Sequence, residues 1–304
     1  TYKSKGSRKG ETYMNSLPTI KNDINFNDIA DVIGQSSVEG PSMAHSILKI
    51  NRDHEDDNGN QIPAGSWTAT TLEGVQVYSK DVKLQIFLQR FQYQQYDPDA
   101  GETVNKSIMG KNLYPNTELP DCLGTMRCGS VPLSQREGLT GADAIRQKQT
   151  SCYRMLYGKA FLANAVTASG EDVGDTVIPV LWRARGANFM PLSDTLDSLS
   201  AQKKPFLFYK LSSTLNRKKK GSNVYYVASF TVDKDAVEFT SDDQGLLQYF
   251  SQLVDKENKW VMSEHDKALQ NKGVIVDSDV SDAIMVDDVA DIDSALDDDL
   301  QIVN

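Results

Sequence analysis

The chain has 304 residues, 39% of them hydrophobic and 24% charged, with a formal net charge of −10, enough to bury a core in one large or two small domains. No apolar run approaches the roughly 20 residues of a membrane helix, and the polar, basic N-terminus lacks the apolar core of a secretory leader. Three cysteines in so long a chain argue against a disulfide scaffold and for a reducing compartment.

The first 22 residues read as a flexible polar arm carrying Lys3, Lys5, Arg8 and Lys9. From Ile24 the pattern predicts a short helix and then a first strand, Ser46 to Ile50. A loop rich in Asp, Asn, Gly and Pro follows, from His54 to Ser66. Val75 to Tyr96 is the strongest strand signal. Val82, Leu84, Ile86 and Leu88 alternate on one face, as a half-buried strand requires. Lys83, Gln85, Phe87, Gln89, Phe91 and Tyr93 then fall on the other face, which reads as polar with aromatic platforms. Asp97 to Gly101 is a turn, and Gln135 to Thr150 has helical character.

Further strands are predicted at Tyr153 to Val166, Val177 to Arg185, Phe206 to Leu211 and Val224 to Val232. Leu192, Leu196 and Leu199 recur at helical spacing over Leu192 to Ala201. Phe206 to Val232 reads as a long hairpin whose tip, Asn216 to Asn223, contains Arg217, Lys218, Lys219 and Lys220 and must project into solvent. A helix is expected from Ser241 to Val254, with Ser241 as cap, Gln244 three residues on, and Asp242 and Asp243 at the positive end of the dipole. No basic residue follows Lys272, whereas ten aspartates do. Removing those ten from the 42 acidic residues leaves 32, equal to the 32 lysines and arginines. The body is therefore neutral, and a like-charged block of this kind is expected to be a disordered interaction tail.

Strands, then a short helix, then a basic-tipped hairpin is the order of an elaborated OB-fold-like β-barrel. The expected fold is mainly β with a few helices, plus a disordered acidic C-terminal tail. The domain reading is a basic arm at 1–22, a β-rich nucleic-acid-binding domain at 23–240, a helical segment at 241–272 and the acidic tail at 273–304. A virion coat or assembly domain with the same element order is the alternative.

Cations interleaved with flat rings suit sequence-tolerant binding of single strands, because rings stack bases while cations follow the phosphates. The candidate nucleic-acid residues are the tip cations Arg217, Lys218, Lys219 and Lys220, the same-face pair Arg183 and Arg185, the rings Phe87, Phe91 and Tyr93, and the interleaved Tyr153, Arg154, Tyr157 and Lys159. No phosphate-cradling glycine loop, HExxH or GxSxG motif is present, so no catalytic residue, cofactor or enzymatic activity is expected. Cys122, Cys128 and Cys152 are spaced more widely than usual zinc pairs and read as inert thiols.

A strand-rich body, a basic hairpin and an acidic tail together resemble phage single-stranded DNA-binding proteins. Asp297-Asp298-Asp299-Leu300 resembles the acidic-then-apolar tip with which bacterial members dock replication and repair enzymes, although the chain ends Gln301-Ile302-Val303-Asn304 without a terminal aromatic or proline. The resemblance implies coating of single-stranded DNA, with self-association of the chain left open. It also implies recruitment of replication or recombination proteins through Asp297, Asp298, Asp299 and Leu300, in the cytoplasm of an infected bacterial cell and away from any membrane.

Overall fold

Period-two hydrophobic runs and the turn residues between them become nine strands and three helices in the computed structural model, which describes residues 45–56, 59–112, 119–125 and 137–272. The arm at 1–22, the helix expected after Ile24, Cys128 and the tail with Asp297, Asp298, Asp299 and Leu300 lie outside the described residues. β1 (Ser46–Asn51) pairs antiparallel with β2 (Ser66–Thr70), and β2 with β3 (Gln76–Ser79). β3 pairs with β6 (Thr150–Thr167), β6 with β7 (Asp172–Ala184), and β7 returns parallel to β1. Five strands taken alternately up and down must close on one parallel pair. The fold is thus mainly β around a closed five-stranded barrel, as the order of elements led us to expect.

β3 runs through Lys80 into β4 (Asp81–Asp97), which follows β6 and carries β5 (Glu102–Lys106) at its far end. β4 also carries β8 (Lys210–Lys220), which forms a hairpin with β9 (Asn223–Val232). The expected strand at Phe206 begins instead as a 3-10 turn, Phe206–Phe208, and the extended backbone starts at Lys210. The first helix, α1 (Gly141–Gln149), leads into β6, and α2 (Phe189–Ala201) lies between β7 and β8.

Two cores share the sheet. The inner one joins Trp67, Val82, Leu84, Ile86, Leu156, Leu162, Val180 and Trp182 to Leu192, Leu196 and Leu199 of α2. Trp67 meets Trp182 edge-on at 5.0 Å, one of the favoured geometries for a pair of rings. The outer core lies between the opposite sheet face and α3 (Ser241–Asn271), where Phe87, Met155, Tyr157 and Leu181 pack on Phe250 and Val254. α3 continues past Val254 to Asn271, over the span read as a helical segment at 241–272. Its cap is Thr240 rather than Ser241: the Thr240 hydroxyl accepts the Asp243 N–H at 3.3 Å, and the Asp243 carboxylate accepts the Thr240 N–H at 3.1 Å.

A bulge in β4 decides which side chains reach which core. Ile86 pairs with Gly158 but Leu88 pairs with Tyr157, so Phe87 is the extra residue. One inserted residue reverses the inside–outside alternation beyond it. Leu88, expected beside Val82, Leu84 and Ile86, therefore packs in the outer core, whereas Phe91 and Tyr93 turn inward. The close approach requires glycine at 158. A Cβ there would lie 3.0 Å from the Ile86 Cα and closer still to the Gln85 carbonyl oxygen.

Candidate nucleic-acid interface

The β8–β9 ribbon has two chemically different faces because its register is regular. Leu211 faces Val232, Ser213 faces Phe230, Leu215 faces Ala228 and Arg217 faces Tyr226. Leu211, Leu215, Ala228, Phe230 and Val232 on this face belong to the inner core or pack against it. The ribbon is further fixed by Trp67, whose indole N–H donates to the Ser213 hydroxyl at 2.9 Å. Asn188 accepts the Ala228 N–H at 2.7 Å and donates to the Tyr226 carbonyl at 3.3 Å. The Tyr226 ring lies against Gly65, a turn residue at φ +68°.

The opposite face pairs Thr214 with Ser229, Asn216 with Val227, Lys218 with Tyr225 and Lys220 with Asn223. The Asn216 amide donates to the Ser229 hydroxyl at 3.0 Å. Arg217, Lys218, Lys219 and Lys220 are all exposed. They lie within strand β8 itself, which turns at Gly221 (φ +60°), so the expected projecting tip is an extended ribbon end. Among the described residues, no carboxylate forms an ion pair with Arg217, Lys218 or Lys219. Neighbouring cations such as Arg217, Lys218 and Lys219 on a hydrogen-bonded ribbon make a local positive field that a phosphate chain can satisfy.

Arg183 near the end of β7 and Arg185, one residue past it, are also exposed. The Arg185 guanidinium donates to the Tyr153 hydroxyl at 3.0 Å and lies 5.5 Å from that ring's centroid. Met155 pairs with Arg183 on one side and with Arg90 on the other, which adds a third arginine to this region of the outer face. Burial holds the Arg90 guanidinium below its usual pKa. Sequence reasoning missed Arg90 because the β4 bulge changes the face on which it falls.

The remaining candidates are placed elsewhere. Phe87, Phe91, Tyr93 and Tyr157 are 3%, 5%, 1% and 3% exposed, so none of these rings offers a face to a base. The Tyr157 hydroxyl is pushed up to about 12, first by burial and then by the Glu257 charge. Arg154 is likewise buried, with its guanidinium 5.0 Å from the Phe91 centroid and 4.7 Å from that of Phe189. It donates to Gln89 Oε1 at 3.0 Å and to the Ser193 hydroxyl, and desolvation lowers it to about 10. Lys159 pairs with the buried Asp243 at 2.5 Å and so ties β6 to the first turn of α3. Periodicity showed that these residues alternate, but not that α3 covers one sheet face while Phe91 and Arg154 pack against Phe189 of α2 on the other.

Cys122 and Cys152 are both half-buried, and burial raises the Cys122 pKa. Among the described residues, no three His, Cys, Asp or Glu side chains gather as metal ligands, and no helix is long and apolar enough to cross a membrane. No family model, curated protein or solved structure matches the chain.

Proposed function

We propose that this chain binds single-stranded DNA without sequence preference, as a replication and recombination protein of the phage type. The observation that carries the reading is the run Arg217 to Lys220, exposed along a strand whose other half is anchored in the inner core. Anchoring limits the conformational entropy lost when phosphates are engaged, and adjacent cations release counterions together. The exposed Arg183 and Arg185 supply a second basic element at the end of β7. Phe87, Phe91, Tyr93, Tyr157 and Arg154 are omitted from this interface because they are buried, and Lys159 because it pairs with Asp243.

The ten aspartates after Lys272 compete for the same cations in this reading, and are freed to recruit partners through Asp297, Asp298, Asp299 and Leu300 once DNA occupies the ribbon. The test is a salt-titrated oligonucleotide binding assay on the full chain and on a chain ending at Lys272. We expect affinity to fall steeply with salt and to rise on truncation. A truncated protein with no affinity for oligonucleotides at low salt would refute the proposal. The triple substitution Lys218→Ala, Lys219→Ala and Lys220→Ala is expected to flatten the slope of log affinity against log salt by about 2, at about 0.7 per phosphate contact. An unaltered slope would reduce the basic run to a solvated ribbon end.

A further inference from the structure

Two adjacent tyrosines of β9 occupy environments that differ in kind. Tyr226 points to the anchored face, where its ring meets the Gly65 backbone. Tyr225 points to the other face, opposite Lys218 and beside the Lys220–Asn223 pair, and is partly exposed. Among the described residues its ring has no aromatic neighbour, no cation over it and no hydrogen bond to its hydroxyl. A large ring held on a regular strand opposite one lysine and diagonal to another, with no such partner among the described residues, is chemically unfinished. Amide and hydroxyl groups of Asn216, Thr214 and Ser229 continue the same face toward the barrel.

We infer that Tyr225 is a base-stacking residue, and that the outer face of the ribbon takes an unpaired nucleotide strand whose base lies on the Tyr225 ring while Lys218 and Lys220 contact the flanking phosphates. The inference rests on the nucleic-acid reading above and sharpens it. Phosphate contacts alone would accept duplex and single strand alike, whereas a stacking ring requires a base free of its own stack. It also replaces the buried rings Phe87, Phe91, Tyr93 and Tyr157 with one that is accessible. Tyr226 has a structural duty instead, although it is the neighbouring residue of the same type.

The experiment compares the full-length native chain with Tyr225→Ala, Tyr225→Phe, Tyr226→Ala and Lys218→Ala/Lys220→Ala. The readouts are fluorescence anisotropy with an oligothymidylate and with a duplex of equal length over a salt series, together with the thermal midpoint of each variant. We expect Tyr225→Ala to weaken single-strand binding at least about 5-fold, the lower end for one stacked base, with the salt slope and the midpoint retained. Tyr225→Phe should bind as the native chain does, and Tyr226→Ala should lower the midpoint. Native-like binding by Tyr225→Ala, alongside a flattened slope for the lysine pair, would overturn the stacking role and leave the nucleic-acid reading standing. So would equal native affinity for duplex and single strand, or a fall in the Tyr225→Ala midpoint matching that of Tyr226→Ala. Absence of binding by the native chain to both probes would overturn the two readings together.

Discussion

Lys159 and Asp243 show how a residue's role turns on what covers it. Desolvation acts to raise the Asp243 carboxyl, but hydrogen bonds from the Lys159 ammonium and the Thr240 backbone outweigh it, and the net shift is downward. A carboxyl whose folded pKa is depressed contributes stability above its unfolded value, near 3.9 for aspartate, and loses that contribution as pH falls through the folded value. Asp243→Asn should therefore lower stability at neutral pH and flatten the acid limb of a chemical-denaturation series below about pH 4. The expected cost is about 2 kcal/mol, below the range for a fully buried pair because Lys159 keeps some solvent contact. An acid limb as steep as the native one would show that the pair contributes nothing. In the sequence, Lys159 looked like one more cation beside Tyr157. Nothing local to it indicated a carboxylate 84 residues away at the start of α3.

At the scale of elements, glycines mark where two pieces of chain meet too closely for a side chain. Gly65→Ala would bring a Cβ within 2.8 Å of the Tyr226 Cζ, at a backbone φ of +68° that already disfavours alanine. Displacing Tyr226 should loosen the docked half of the ribbon and cost about 1–3 kcal/mol, the usual range for overpacking, read as a lowered midpoint in urea. A variant as stable as the native chain would mean that the ribbon is not held at that turn. The strands themselves were legible because β-branched and aromatic runs bounded by turn residues are local signals. The β4 bulge was not, since it depends on how β4 meets Gly158 of β6. That single inserted residue put Phe91 and Tyr93 inside when alternation alone had placed them outside.

Across the whole molecule the charge is divided: a neutral body carries exposed clusters at Arg217 to Lys220 and at Arg183 and Arg185, while ten aspartates follow Lys272. On our reading, the pure protein should sediment as small species without DNA and form larger complexes only when single strands are added. Large symmetric particles in the absence of nucleic acid would favour the virion structural alternative. Raising salt from 50 to 200 mM should dissociate the DNA complexes, because phosphate contacts carry the affinity.

By itself the sequence determined the β-rich class, the positions of the hairpin and the amphipathic helices, the exposure of the basic run and the concentration of negative charge after Lys272. Each of these follows from short-range periodicity or from composition. Only the tertiary structure decided which aromatic and basic residues are accessible. Burial is set by the elements that pack on each sheet face, here α2 on one and α3 on the other, and by a bulge whose pairing partner lies some seventy residues further along the chain.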